Sequence, residues 1–208
     1  VLLDDLGVGG GFPAAEAEIT DDLIGVVTQN GGQNKIDTFL ARSVTYAAAI
    51  DPDQGTVAST VTIELTNLVT NLDLPDAIVA SNDQGFPRGT NVLELTVYSP
   101  HRLVGATVDG AETGFRGADQ FGIRAYSALL EIPADTTMVV ELRLQGVVDL
   151  SSEYRLTVPV QPAVLPEELE VTVTVPDGIA IAGGGGPFRA AFVTAADQEL
   201  TAELDRLD

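Results

Sequence analysis

From Ser43 onward the chain alternates apolar and polar residues in runs of strand length, each closed by a turn carrying Gly, Pro or Asp. A period of two places successive side chains on opposite faces of an extended backbone, so each run can bury only one face and several runs must pack together to hide it. SVTYAAAID (43–51), the DPDQG turn and TVASTVTIELTNL (56–68) make the clearest hairpin, with Val57, Val61, Ile63 and Leu65 directed to a core and Thr60, Thr62, Glu64 and Thr66 to water. Further strands are expected at VLELTVYS (92–99), RLVGATVDG (102–110), FGIRAYSALLEIP (121–133), TTMVVELRLQGVV (136–148), EYRLTVPVQP (153–162), LEVTVTVP (169–176) and FRAAFVT (188–194). No long helical period separates them, so the expected fold is mainly β, an antiparallel β-sandwich of immunoglobulin-like or related kind.

The N-terminal part reads differently. Residues 1–22, with three consecutive Gly and the acids Glu16, Glu18, Asp21 and Asp22, are expected to form an extended arm or linker bearing solvated charge. LIGVVTQ (23–29) has strand length, and NGGQN (30–34) is turn chemistry. Asn34 can cap a short helix near residues 34–42, with Asp37 in its first turn and Ile36, Phe39 and Leu40 on one face. The rest divides into residues 23–110 and 111–208, as two β-sandwich parts or as one continuous domain over 23–208; the end after FRAAFVT is compatible with strand or helix. A start at Val1 without an initiator Met suggests a piece of something longer.

Charge excludes one class of partner. With 31 acidic against 10 basic side chains and a net charge of -21, nothing offers a footprint for phosphate backbones, and nucleic-acid binding is not expected. No window approaches the roughly 18–20 uncharged apolar residues of a membrane span. The absence of Cys removes disulfides, thiolate metal sites and thiol nucleophiles. Among the 10 basic residues only Lys35 is Lys, and Asp exceeds Glu, a bias of GC-rich or salt-adapted genomes.

No catalytic constellation assembles from the sequence. The single imidazole, His101, follows a strand in YSPHRL and reads as a turn or rim residue. Asp51 and Asp53 resemble the opening of a calcium loop, but the later ligands are missing and a hairpin turn belongs there, so no cofactor is expected and calcium is the one ion these two residues would suit. The stretches GVGGG (7–11) and GGGG (183–186) lack the Lys-Ser/Thr of a phosphate loop. Lys35 is the lysine an isopeptide staple would need, although its place at a helix start explains it without one.

Several blocks carry a resemblance through their order: GVVTQNGGQNKIDTFLARSVTY (25–46), TVTIELTN (60–67), Leu74 and Pro75, PRGTN (87–91) leading into LELTVYSP (93–100), TVDG (107–110), YRLTVPVQP (154–162) and LEVTVTVPDG (169–178). Over about residues 22–180 this order resembles the C-terminal extracytoplasmic part of a bacterial, chiefly actinobacterial, envelope family called domain of unknown function 4012. The pattern QN-x-G-x-NK-x-D-x-F-L, with Gln29, Asn30, Asn34, Lys35 and Asp37, is its strongest piece, and turn-forming residues ahead of a capped helix account for it structurally. The resemblance implies an anchor upstream of this chain, a place outside the cytoplasm, at the cell surface or secreted, and a link to surface polysaccharide. It supplies no catalytic residues. The expected role is therefore non-enzymatic: a cell-envelope module giving structural or interaction surface to other envelope proteins, to copies of itself or to cell-surface glycan. Self-assembly through Val- and Thr-rich strand edges is one form of that role. The rival expectation is an accessory C-terminal domain of a membrane-anchored envelope enzyme, with catalysis upstream of Val1.

Overall fold

The computed structural model describes residues 20–80, 85–120, 122–150, 153–181, 186–194 and 196–206. In chain order the strands are β1 (Asp22–Leu23), β2 (Gly25–Asn30), β3 (Leu40–Asp51), β4 (Thr56–Asn67), β5 (Asn91–Ser99), β6 (Arg102–Val108), β7 (Ala111–Glu112) and β8 (Arg116–Gln120). They continue as β9 (Ile123–Ile132), β10 (Thr136–Val147), β11 (Glu153–Val158), β12 (Glu167–Thr174), β13 (Ile179–Ile181), β14 (Phe188–Thr194) and β15 (Gln198–Arg206). One sheet has seven strands in the order β14-β12-β3-β4-β10-β6-β7, and two have four, β2-β5-β9-β8 and β1-β11-β15-β13. The molecule is mainly β, built of antiparallel sheets in a sandwich arrangement, with parallel pairing only of β1 with β11 and β12 with β3 among the named strands.

Alternation decides which side of each strand is buried. In β3 the even positions Val44, Tyr46, Ala48 and Ile50 point inward, and in β4 the odd positions Val57, Val61, Ile63 and Leu65 do so, as their pattern predicts. The register opposes Tyr46 to Val61 and Val44 to Ile63, so inward rows run unbroken across the hairpin and on to Val140 and Leu142 of β10. Leu93, Leu95 and Val97 of β5 and Leu156 and Val158 of β11 belong to the same buried cluster, which draws on residues from β2 to β15. Fully burying one such side chain contributes on the order of 1.5–3 kcal/mol.

The structure departs from the sequence expectations at three places here. The helix near residues 34–42 is a single 3-10 turn, Ile36–Phe39, because the alternating pattern takes over at Leu40 and leaves too few residues for an α-helix. Asp22 belongs to no solvated arm: it is 1% exposed on β1, while Glu16 and Glu18 lie outside the described residues. A one-turn helix, α1 (Asp76–Val79), which the sequence did not announce, covers a second small core of Ile36, Val69 and Val79. Of the two forms left open for the acidic C-terminal end, the structure has the strand, β15.

Candidate functional site

Among the described residues two clusters of ionisable side chains lie inside the β framework. In the first, Asp22 of β1, Tyr46 of β3, Tyr154 of β11 and His101 of the turn after β5 converge, each 2% exposed or less. Tyr46 and Tyr154 donate their phenolic hydrogens to Asp22 Oδ2 at 2.6 and 2.5 Å, and His101 Nε2 lies 2.8 Å from Asp22 Oδ1. A carboxylate in that position places an imidazole proton on Nε2. The turn holds His101 inward, since its backbone N–H donates to Ser99 Oγ at 3.2 Å and its carbonyl accepts from the Tyr126 hydroxyl at 2.8 Å. Gly146 of β10 passes so close to the imidazole that a Cβ there would overlap the ring. Acid, imidazole and phenols are the vocabulary of proton transfer, but at this burial no substrate reaches them. Their connections run from the seven-stranded sheet to the β1-β11 sheet and the turn beyond β5, which makes the cluster a lock between sheets.

Burial first, and the adjacent Asp22 carboxylate second, push both the Tyr46 and Tyr154 phenols well above the usual tyrosine range. A folded pKa raised above the unfolded one contributes stability that is complete below the unfolded value, about 10, and is lost as pH rises beyond it. The urea midpoint should therefore fall steeply above about pH 10, with tyrosinate absorbance from these two residues appearing together with loss of near-ultraviolet dichroism. Their ionisation in a protein that stays folded would show that the cluster is open to water.

The second cluster sits under a surface cleft of about 340 Å³ whose lining includes Thr28, Asp37, Leu40, Arg42 and Gln161. The Gln161 side-chain amide treats Thr28 of β2 as a neighbouring strand would: Oε1 accepts from the Thr28 backbone N–H and Nε2 donates to the Thr28 carbonyl, both at 2.9 Å. Arg42, 5% exposed, donates to Gln161 Oε1 at 2.7 Å and to the Gln161 carbonyl at 3.1 Å. Its Nη2 lies 3.3 Å from Glu167 Oε2, and both side chains of this pair are 3% exposed. Burial lowers the Arg42 pKa against the opposing pull of Glu167, and burial raises that of Glu167 against the pull of Arg42, so for each partner desolvation outweighs attraction. Among the described residues the Thr28 hydroxyl donates to Gln161 Oε1 and accepts from Arg42, both at 3.3 Å.

The structure brings the signature residues together as a loop clasp. The Asn30 side chain donates to the Asn34 carbonyl at 2.9 Å and to Asp37 Oδ1 at 3.1 Å, while its own Oδ1 accepts from the Gly32 N–H at 2.7 Å. Asn34 Oδ1 accepts from the Ile36 N–H at 3.3 Å, and Asn34 Nδ2 donates to the Ala80 carbonyl at 2.7 Å, joining the loop to the end of α1. Gln29 is exposed on β2, opposite Glu94, and the exposed Lys35 gives its backbone N–H to the Ala77 carbonyl at 3.0 Å. Only Asp37 of the five reaches the cleft. Asp51 is engaged in its hairpin turn, accepting from the Asp53 N–H at 3.0 Å and from Gln54 Nε2 at 2.9 Å. Among the described residues no group of three or more His, Cys, Asp or Glu is placed to hold a metal ion.

His101, read from sequence as a turn or rim residue, is 1% exposed within its turn. Arg42 and Tyr46 had a visible signal, since both share the inward parity of Val44, Ala48 and Ile50, where a charge or hydroxyl must find a partner. Glu167 carried the same signal, sharing the parity of Leu169, Val171 and Val173, whereas Asp22 and Gln161 carried none.

No family model matches the chain, and no curated protein matches it. Solved structures do: a protein designated as nutrient-binding from Legionella pneumophila aligns over 89% of this chain and 71% of its own, with 10% identity and a TM-score of 0.51. Yeast leukotriene A4 hydrolase in complex with bestatin aligns over 84% of this chain at 9% identity and a TM-score of 0.47, and this chain spans 31% of it. An M1 zinc metallopeptidase from Deinococcus radiodurans aligns over 83% at 13% identity and a TM-score of 0.42, with 42% of its length spanned. At 10% identity the likeness to the Legionella protein is one of fold. Among the described residues no helix is long and apolar enough to cross a membrane.

Proposed function

We propose that this chain is a non-enzymatic interaction and structural module of a bacterial cell envelope, presented outside the cytoplasm. One observation carries the reading: the potent side chains, Asp22, His101, Tyr46, Tyr154, Arg42 and Glu167, are buried and committed to one another. On the outer face of the seven-stranded sheet β3 and β4 carry the short side chains of Ser43, Thr45, Ala47, Ala58, Thr60 and Thr62, bordered by Glu64 on β4, Glu141 and Arg143 on β10 and Glu168 and Glu170 on β12, all half-buried or exposed. A strip of small and hydroxyl groups rimmed by charge suits recognition by contact better than reaction. The envelope location rests on the ordered blocks that begin with the Gln29–Asp37 signature.

Lys35, the only lysine, makes the location testable. A membrane-impermeant amine reagent applied to intact producing cells should modify Lys35, and modification only after lysis would remove the proposal. Purified chain should also sediment with isolated envelopes, and Thr62→Arg on the open face should reduce that retention while leaving the urea midpoint within about 0.5 kcal/mol of the parent.

A further inference from the structure

The three sheets have six edges among the described residues, and five are blunted. β1 and β7 are two residues long and β13 three, too short to template another strand, and the parts of β11, β6 and β15 that they leave uncovered carry charge, Glu153 and Arg155, Arg102, and Glu199 and Glu203 respectively. β8, RGADQ, is exposed throughout and carries a Gly and two charges. β2 is capped by the Gln161 amide on Thr28 and by a bridge from Val26 to Val160. The sixth edge, β14, has none of these protections: its seven residues FRAAFVT include no Pro, Gly or Lys, Arg189 is the sole charge, and Val193 is 72% exposed. Among the described residues no strand pairs with the outer side of β14, which gives this protein of charge -21 an edge suited to strand addition.

We infer that the occupant is a second copy of the same strand, paired antiparallel about a two-fold axis at Ala191, so that two seven-stranded sheets continue as one. This rests on the interaction-module reading and names its partner. Centring at Ala191 is the register that matches all seven residues of β14. It opposes Phe192 to the partner copy's Ala190, and the reverse by symmetry, so each large half-buried ring lies beside a small residue. Arg189 falls opposite Val193 of the other copy and not opposite itself. The strand behind that Val193 carries Glu168, its register partner on β12, with Glu170 beside Ala191, so the one cation of each edge approaches the other copy's two acids. The two-fold closes the assembly, because β7 at the far edge is too short to extend it.

A single strand pair is a small interface, and the two chains repel, so dimerisation should be micromolar and should tighten about tenfold between roughly 0.05 and 0.5 M salt as the repulsion is screened. Sedimentation velocity of the full chain from about 5 to 500 µM tests this, and the Cys-free background allows a geometric test. Ala191→Cys should oxidise to a covalent dimer at least about tenfold faster than Val147→Cys, a control whose parent residue is 76% exposed on β10. Adding Val193→Lys, which sets Lys against Arg189, should abolish that difference without lowering the unfolding midpoint. A monomer throughout the concentration range, equal cross-linking of the two cysteines, or cross-linking indifferent to Val193→Lys would overturn the pairing. Retention on envelopes by a strictly monomeric chain would leave the interaction-module reading standing, whereas absence of Lys35 labelling on intact cells would remove that reading whatever the mass.

Discussion

Replacing Asp22 by Ala should lower the free energy of unfolding by about 3–5 kcal/mol, read as a shift of the urea midpoint at unchanged slope. Three donors lose their acceptor together: the hydroxyls of Tyr46 and Tyr154 and the imidazole of His101. None of the three side chains is in reach of bulk water, and each buried donor left unsatisfied costs about 1–3 kcal/mol. The cost is structural as well, because Asp22 fastens β1 to the sandwich and only two residues of β1 pair with β11. Asp21→Ala, one position earlier and half-buried, is the control and should stay within about 0.5 kcal/mol. A loss below about 1 kcal/mol at Asp22 would mean that solvent replaces the carboxylate and that the cluster is no lock.

The second large effect belongs to Arg42. Arg42→Met leaves Glu167 in a buried site without its cation, and breaking one side of such a pair costs about 3–5 kcal/mol near neutral pH. It also removes the donors that position Gln161, so the cap on β2 loosens with it. Burial already raises the Glu167 carboxyl, and without the opposing pull of Arg42 it rises further. A raised carboxyl contributes stability that is present below its unfolded pKa, about 4.3, and is lost as pH climbs through the folded value. The difference between Arg42→Met and the parent should accordingly be smallest near pH 4 and widen toward pH 7. Since desolvation outweighs attraction at both partners, Arg42→Met with Glu167→Leu should recover most of the loss. A double variant no better than the single one would assign the cost to Gln161 and the edge of β2 in place of the ion pair.

The expected helix at residues 34–42 shows where local reading stops. Asn34 does serve the turn, through the Ile36 N–H, and Ile36 is buried as a core-facing residue should be. The same Leu40 that completes a plausible helix face is also the first inward residue of a twelve-residue strand with eleven partners following it in register on β4. Ladder formation over that length outweighs the propensity of two helical turns, and only a 3-10 turn survives. The acidic pair at Asp21 and Asp22 shows the converse. Nothing in the residues distinguishes two neighbouring acids in a polar stretch, yet one is half-buried and the other accepts from two phenols.

What the sequence by itself determined is the β class and the inward face of the principal strands, because both depend on a period of two that is written over a few residues and needs no knowledge of neighbours. Arg42 and Tyr46 lie on the inward parity of β3, a signal present in the sequence that the expectations drawn from it did not use. Only the tertiary structure decided who those partners are. Tyr154 and His101 reach Asp22 from 132 and 79 positions away, and Gln161 reaches Arg42 from 119, so the contacts exist only once three sheets have taken their order. That order minimises the burial cost of the whole core, a sum over long-range pairs that no local pattern contains.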